Sequence, residues 1–314
     1  MPNDDLESIE KAAVRIALGA GKILLTHFTR PLDVEYKEDF QKSPVTDADH
    51  ASDSYIKQQI VRLFPTHAIL SEEDKVSDEK SAEYTWVIDP LDGTTNFMHG
   101  VPIFGICIAV LRESRPVVAA IFVPSITQPQ GVVLHARIGG GAKLGNVKVI
   151  TVSDEVLTPK SRLISSMPSH FAHMFGYRLQ TWMHLGDVRS LGSVAFEMAL
   201  VAQGILDYVI FKGPYIWDVA AGVLLAKESG CAVLVYDSNS KKWTNFEKFQ
   251  TSLNNEIVTS QQLRDWRGAL LIGKHNITLS LAEGIKINNN RIVSWYKKIR
   301  RKWIRRNTSY QTPK

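Results

Sequence analysis

The 314-residue sequence is poor in features that would point to a secreted or membrane-spanning protein. It has only two cysteines, Cys107 and Cys231, each inside an apolar stretch. This predicts two buried free thiols rather than a disulfide. No apolar run approaches the ~20 residues that a membrane-spanning helix needs. The acidic start, residues 1–5, lacks the positive charge and apolar core of a signal peptide. We therefore expect a cytoplasmic protein.

The sequence also lacks the spacings that are typical of zinc sites. It contains no His-Glu-x-x-His and no Cys-x-x-Cys, which argues against a zinc protease or a zinc finger. It has no internal repeat and no low-complexity segment. What it does have is a hydrophobic content of 44% and a charged content of 22%, which is the balance of a globular protein with a substantial core.

Positive charge is concentrated in one C-terminal segment. Residues 286–314 contain ten Lys and Arg and no Asp or Glu, so the formal net charge of +5 for the whole chain leaves −5 for the rest. Ile292, Trp295, Ile299 and Trp303 fall near one helical face of this segment. A helix packed on the body of the protein, a helix on an anionic membrane and an RNA-binding helix all fit. Removing the residues after Lys286 and measuring salt-dependent binding to liposomes and RNA distinguishes them.

Apolar periodicity divides the rest of the chain into two halves. Residues 1–150 are predicted to form an α+β half, with helices over residues 6–28 and 46–64 and an antiparallel sheet. Residues 151–285 are predicted to alternate between strands and helices, as in an α/β layer. Residues 286–314 would be an extension of this body.

Two carboxylates stand at the end of a predicted strand, in Asp89-Pro90-Leu91-Asp92-Gly93-Thr94-Thr95. Gly93 permits an unusual backbone angle or a close approach, and the threonines suit a helix start whose N–H groups can bind phosphate. Carboxylates beside a phosphate site would repel the substrate unless cations bridged them. Hard oxygen ligands select Mg²⁺ or Mn²⁺ rather than zinc. An ordinary Asp-rich turn is the alternative.

Two further acidic segments could complete such a site. Ser71-Glu72-Glu73 follows a short apolar strand, and Trp217-Asp218-Val219-Ala220-Ala221-Gly222 opens a helix of small residues. Taken alone, the first is typical of a solvated loop and the second of a helix cap. Together with Asp89 and Asp92, they predict an acidic cage for two metal ions.

In order and spacing, these segments and Ser43-Pro44-Val45-Thr46-Asp47-Ala48-Asp49 make the chain resemble the inositol monophosphatase family of Mg²⁺-dependent, lithium-sensitive-type phosphatases. The resemblance covers about residues 6–285. It implies a layered αβαβα sandwich and a phosphoric monoester hydrolase with two or three Mg²⁺ ions per site. It also implies a small phosphate ester as substrate and a homodimer.

The resemblance further implies a role for each matching residue. Glu72, Asp89 and the carbonyl of Leu91 would hold the first metal, and Asp89, Asp92 and Asp218 the second. Thr94, oriented by Asp49, and Glu72 would position and deprotonate a nucleophilic water. The substrate-binding set would be Glu72, Leu91, Asp92, Gly93, Thr94, Gly192, Ser193, Val194 and Asp218.

The alcohol part of the substrate is less well defined than the reaction. In the family, a Gly-[Ser/Thr]-small segment and a later glutamate contact the polyol hydroxyls. Gly192-Ser193-Val194 fits the first, but Phe211 or Ile210 stands where the glutamate is expected. Inositol monophosphate is the first candidate. Fructose 1,6-bisphosphate, adenosine 3',5'-bisphosphate and histidinol phosphate are alternatives. Lys212 could favour a second anionic group. A phosphatase-like binding module that works through its basic tail is the rival function.

Overall fold

The structure is a computed structural model, which describes residues 5–28, 34–36, 44–74, 82–125, 127–151, 162–167, 175–177, 185–250 and 258–287. The helices are α1 (Leu6–Phe28), α2 (Asp47–Leu63), α3 (Thr94–Met98), α4 (Val194–Ala202), α5 (Ile216–Ser229), α6 (Ser260–Arg264) and α7 (His275–Gly284). None of these described helices is both long and apolar enough to cross a membrane. The predicted basic extension lies outside the described residues, apart from residues 286 and 287.

Seventeen short strands are described, and they fall into two large sheets and two small pairs. The first sheet has the order β3-β4-β5-β6-β7-β8-β9. Its strands are β3 (Ala68–Ser71), β4 (Thr85–Asp92), β5 (Gly105–Arg112), β6 (Arg115–Val123), β7 (Val132–Arg137), β8 (Ala142–Leu144) and β9 (Val147–Val149). β3 and β4 are parallel, and the remaining neighbours are antiparallel.

The second sheet has the order β12-β10-β13-β16-β14-β15 and is mixed, because β10 is parallel to both of its neighbours while the other pairs are antiparallel. Its strands are β10 (Ile164–Ser166), β12 (Asp187–Arg189), β13 (Tyr208–Lys212), β14 (Ala232–Asp237), β15 (Lys242–Asn245) and β16 (Ala269–Gly273). The pairs are β1 (Val34–Tyr36) with β2 (Pro44–Thr46), and β11 (Phe175–Tyr177) with β17 (Ile285–Ile287).

Three apolar clusters show how the layers stack. One cluster joins α1 and α2 to one face of the first sheet, through residues such as Ile16, Ile56 and Phe122. A second joins the other face of that sheet to α4, α5 and the second sheet, and a third lies between the second sheet and α7. The order helix, sheet, helix, sheet, helix confirms the predicted αβαβα sandwich. Because the middle cluster draws on both predicted halves, the division at residue 150 stays a prediction.

The sequence predictions for individual elements were confirmed where the apolar pattern is long. α1 and α2 match their predicted ranges to within two residues, and the predicted hairpin is β5 and β6. Cys107 and Cys231 are buried free thiols, as expected. The second half is less regular than the predicted α/β layer, because β16, which was not predicted, pairs antiparallel with β13 and β14.

Candidate metal and phosphate site

The parallel pairing of β3 and β4 brings Glu72 beside Asp89. Ser71 pairs with Ile88, and the Glu72 N–H donates to the Ile88 carbonyl at 3.0 Å. Since parallel strands point their carboxyl ends to one edge of a sheet, the residues that follow the two strand interiors meet there. The segment with two glutamates and the segment with two aspartates are therefore neighbours in space.

An irregularity in β4 places Asp89 and Asp92 on one side of the strand. Asp89 pairs with Cys107 and Asp92 with Gly105, so three steps along β4 match two steps along β5. In a regular strand, residues three apart point to opposite faces, and one extra residue restores the same face. Pro90 suits this bulge because it has no N–H to pair. The Ser52 hydroxyl donates to the Pro90 carbonyl at 2.9 Å and anchors the turn to α2.

Asp218 joins the site from the first turn of α5. Its Oδ2 accepts the Tyr215 N–H at 2.8 Å, so it caps the helix as well as facing the other acids. Glu72, Asp89 and Asp218 each contribute a carboxylate oxygen to a group whose members all lie within 4.8 Å of one another. Three acidic segments that are far apart in the sequence thus meet at one point, as predicted.

Asp92 lies beside this group and is held by the start of α4. The Ser193 hydroxyl and the Ala195 N–H both donate to Asp92 Oδ2, the latter at 2.7 Å. Burial raises the pKa of Asp92 to about 6, and these two hydrogen bonds oppose the rise. The Ser193 hydroxyl also accepts the Phe196 N–H at 3.2 Å and so caps α4. In this structure the Ser193 hydroxyl orients Asp92, and its predicted contact with the substrate stays a prediction.

This double role makes Ser193→Ala a test of how Asp92 is held. We expect a lower Tm, since losing a helix cap costs about 1 kcal/mol. We also expect the Mg²⁺ concentration for half-maximal activity to rise several-fold, because Asp92 loses a donor. Ser193→Thr keeps the hydroxyl and should restore both quantities. A Ser193→Ala protein with a lower Tm but an unchanged Mg²⁺ requirement would contradict the orienting role.

Gly93 makes the approach of two chain segments possible. Its φ is +87°, and a Cβ there would lie 2.9 Å from the Ser193 Cβ and 3.0 Å from the Ile103 carbonyl oxygen. The positive φ agrees with the unusual backbone angle that the sequence suggested, while a close approach by a ligand stays a prediction. α3 begins at Thr94, as predicted, and the Thr94 hydroxyl donates to the Leu91 carbonyl at 3.0 Å. That oxygen has a second lone pair, which can still face a cation.

The remaining predicted residues lie around the same site. Asp49 is buried in the first turn of α2, and its role in orienting Thr94 stays a prediction. Gly192 has a φ of +78° and a Cβ there would lie 3.2 Å from the Asn96 amide nitrogen. Val194 is the first residue of α4 and is half-buried. A sugar contact by Gly192 or Val194 likewise remains a prediction.

The electrostatics of the cage favour a bound cation. Burial raises the pKa of Asp89 well above its usual value, and repulsion from Glu72, Asp92 and Asp218 adds to the rise. Burial also raises the pKa of Asp218, as do Asp92 and Glu72, while Arg267 opposes this. Packed carboxylates are unfavourable when ionised unless positive charge compensates them. An all-oxygen donor set of this kind fits a hard cation such as Mg²⁺.

Sequence reasoning missed two residues that hold the loop before α4. Glu197 Oε1 accepts the Leu191 N–H at 3.1 Å, and the Asn96 amide donates to the Leu191 carbonyl at 2.8 Å. This clamp fixes the peptide that leads to Gly192 and Ser193. Burial raises the pKa of Glu197 to about 7. The available signal was that Glu197 is the only charged residue in the otherwise apolar α4.

The position of the missing glutamate is filled by a core residue. Phe211 lies in β13 and is 1% exposed. Its phenyl ring offers no hydrogen bond to a polyol hydroxyl. The structure therefore agrees with the prediction from the sequence that the family's acidic contact is absent at this position.

Comparison with known proteins agrees with the fold and with the family that the sequence resembles. A family model described as the inositol monophosphatase family matches residues 5–270. Inositol monophosphatase 3 of Solanum lycopersicum is 31% identical over 274 residues, 84% of this chain and 96% of that protein. A fructose-1,6-bisphosphatase/inositol-1-monophosphatase of Aquifex aeolicus is 28% identical over 231 residues, 72% of this chain and 85% of that protein.

A solved structure gives the same result in three dimensions. The inositol monophosphatase of Anabaena (Nostoc) sp. PCC 7120 superposes with a TM-score of 0.66 and 28% identity over 88% of this chain and 95% of that one. Its similarity extends across both sheets and not only around the acidic motifs, since it covers most of both chains. The chain belongs to the inositol monophosphatase family and is a phosphatase of the phosphoric monoester hydrolase class.

Proposed function

We propose that the chain hydrolyses a small phosphate monoester with Mg²⁺ held in the carboxylate cage. The observation that carries this proposal is the meeting of Glu72, Asp89 and Asp218 within 4.8 Å of one another, with Asp92 held beside them. A binding module has no need of four carboxylates whose ionisation opposes their burial. A phosphatase needs them to hold the cations that neutralise its substrate.

Each of two metal ions would have its own set of protein ligands. Glu72, Asp89 and the Leu91 carbonyl would hold one ion, and Asp89, Asp92 and Asp218 a second, so Asp89 would touch both. When bound, such ions supply positive charge that neutralises phosphoryl oxygens and makes water more acidic. The proposal covers two or three Mg²⁺ ions per site.

The protein groups around the ions orient the reactants. The Thr94 hydroxyl and the Glu72 carboxylate would orient the attacking water, with a Glu72 oxygen accepting its proton. The N–H groups of Gly93 and Thr94 would bind phosphoryl oxygens. The alcohol would then leave on the side of Asp218, because in-line attack places the entering and leaving oxygens on opposite sides of phosphorus.

Two substrate classes remain as candidates for the alcohol part. The names of the relatives support inositol monophosphate and fructose 1,6-bisphosphate alike. The buried ring of Phe211 weakens the first, since a polyol hydroxyl loses its acidic partner there. We therefore define the substrate only by its class, a small phosphorylated polyol. Adenosine 3',5'-bisphosphate and histidinol phosphate stay predictions, as do the homodimer and the membrane or RNA contact through residues 286–314.

A panel of phosphate esters tests the proposal directly. We expect phosphate release from at least one small polyol phosphate with Mg²⁺, and loss of release when EDTA is present. Phosphodiesters should not react, because the chain is of the phosphoric monoester hydrolase class. A folded protein that releases phosphate from no monoester with either Mg²⁺ or Mn²⁺ would overturn the proposed function.

A further inference from the structure

Four side chains form a stack at the start of α5, next to the cage. The guanidinium carbon of Arg267 lies 3.3 Å from the ring centroid of Tyr215. The Tyr215 ring lies parallel to Trp217, with centroids 4.5 Å apart and an interplanar angle of 10°. The guanidinium carbon of Arg264 lies 5.2 Å from the Trp217 ring centroid. We call this set the arginine–aromatic stack.

The pairing of β13 with β16 brings the stack to the end of the second sheet. Lys212 pairs with Ala269, and the Gly213 N–H donates to the Gly268 carbonyl at 2.9 Å. The turn after β13 and the segment before β16 therefore run side by side. Arg267 enters at the same strand end at which Phe211 replaces the expected glutamate. An acidic contact is absent there, and Lys212 and Arg267 stand at the paired ends of the two strands.

The stack is joined to the cage by two hydrogen bonds. The Tyr215 N–H donates to Asp218 Oδ2 at 2.8 Å, and Arg264 Nη2 donates to the Ser71 carbonyl, one residue before Glu72, at 2.7 Å. Arg267 lies close enough to Asp218 for its charge to oppose the rise that burial causes in the pKa of Asp218. In the proposed reaction, Asp218 faces the leaving alcohol, so Arg267 stands on the alcohol side.

In the described part of the chain, neither arginine of the stack forms a close ion pair, although carboxylates such as Asp218 and Asp265 act on Arg267 at longer range. None of the described ion pairs within 4.0 Å includes Arg264 or Arg267. Arg267 Nη1 donates to the carbonyls of Arg264 and Trp266 at 2.8 and 2.5 Å, and Arg264 Nε is buried without a partner. Stacking occupies the face of a guanidinium and leaves donors on its edge. Bound Mg²⁺ would neutralise the carboxylates of the cage, so the charges of Arg264 and Arg267 would then be available to an anionic ligand.

We propose that Arg267, supported by the Tyr215–Trp217 pair and Arg264, binds a second anionic group on the alcohol part of the substrate. The substrate would then be a sugar or nucleoside phosphate that carries a second phosphate. This inference rests on the proposed function, since it assigns the alcohol side of the same site. Arg267 is a specificity-determining residue in this view, and the carboxylate cage would hold the Mg²⁺ that neutralises the other phosphate.

Matched substrate pairs test this second anion-binding subsite at Arg267. Fructose 1,6-bisphosphate and fructose 1-phosphate share the ester bond at C1 and differ by one phosphate, and adenosine 3',5'-bisphosphate and adenosine 3'-phosphate form a second pair. We expect wild-type kcat/KM to be at least about tenfold higher for the bisphosphate of one pair. Arg267→Gln should lower the ratio of kcat/KM for the bisphosphate to kcat/KM for the monophosphate about tenfold, mainly through the KM of the bisphosphate. Any effect that passes through Asp218 is common to both members of a pair and cancels in this ratio. Arg267→Lys, which keeps the charge and loses the planar stack, should fall between them.

Arg62→Gln is the matched control, because Arg62 is an exposed arginine of α2 that bonds only to Gln59 in the described structure. Equal kcat/KM within both pairs, or an equal loss for both members in Arg267→Gln, would overturn the subsite and leave the phosphatase standing. Should no ester turn over, the proposed function fails. In that case, calorimetric titration with the same pairs still tests whether Arg267 binds the second phosphate. Equal affinities of wild type and Arg267→Gln for the bisphosphate would refute the subsite.

Discussion

Asp89→Asn is expected to abolish Mg²⁺-dependent phosphate release while making the metal-free protein more stable. Asp89 is 1% exposed and is the central carboxylate of the cage. Metal-centred charge stabilisation contributes several kcal/mol to phosphoryl transfer, so its loss should lower kcat/KM by about 10³-fold or more. The amide keeps the shape of the side chain but offers only one neutral oxygen donor.

The stability half of this prediction has a separate physical cause. Without metal, Asp89 is buried beside Glu72, Asp92 and Asp218, whose repulsion adds to the effect of burial on its pKa. A neutral amide removes that repulsion, so Tm measured in EDTA should rise by a few degrees. Opposite changes in activity and stability separate a functional residue from one that only supports the fold.

Asp187→Asn is the matched control for this experiment, because Asp187 is an exposed aspartate in β12. Asp187→Asn should change neither kcat/KM for phosphate release nor Tm in EDTA. If Asp89→Asn keeps more than about a tenth of wild-type activity, the cage does not hold the catalytic metal in the proposed way. If it lowers Tm in EDTA, the repulsion argument is wrong even where the activity result agrees.

The stabilisation by Mg²⁺ is expected to grow as the pH rises from 5 to 8. The pKa of Asp92 is raised to about 6, and those of Asp89 and Asp218 are also raised, in each case first by burial. Between the unfolded pKa near 4 and these raised values, the folded protein binds more protons than the unfolded chain. The free energy of unfolding of the metal-free protein therefore falls through this window as the pH rises.

Mg²⁺ competes with those protons for the same oxygens. It must displace more of them at pH 5 than at pH 8, so its apparent affinity increases with pH. A ligand at 100 times its Kd stabilises by about 2.7 kcal/mol, which corresponds to several degrees of Tm. The measurement is Tm with saturating Mg²⁺ minus Tm in EDTA, taken at several pH values.

Asp92→Asn provides the internal comparison, because it removes the group whose pKa lies near 6. The pH dependence of its Mg²⁺ shift should be weaker between pH 5 and pH 7 than that of wild type. A wild-type shift that is the same at pH 5 and pH 8 would show that proton displacement does not accompany metal binding. The site would then have to hold its ion through groups other than these carboxylates.

Long apolar patterns made much of the fold predictable, and short strands did not. α1 has the apolar period of a helix, and β5 and β6 are two apolar runs joined by a short polar turn, which predicts a hairpin. β9 and β12 are three residues long and mostly exposed, so they leave no alternation to read. Their strand conformation comes from pairing, of β9 with β8 and of β12 with β10, and not from a pattern within the strands themselves.

The sequence by itself determined the candidate residues for the chemistry and the reaction class. Each acidic segment alone is typical of a turn, a loop or a helix cap, and only the joint order of Glu72, Asp89, Asp92 and Asp218 predicts a hard-cation and phosphate site. The family resemblance followed from the same residues. The absence of an acid at Phe211 is likewise plain from the sequence alone.

Only the tertiary structure decided how these residues meet and what surrounds them. The bulge at Pro90 turns Asp89 and Asp92 to one side, and it arises from pairing with β5. The capture of Asp92 by Ser193 and the approach of Arg267 to Tyr215 join residues that are far apart in the sequence. No local pattern encodes such contacts, because they depend on how two sheets and the helices between them pack. For that reason the reaction class could be predicted from the sequence, whereas the alcohol side of the site required the fold.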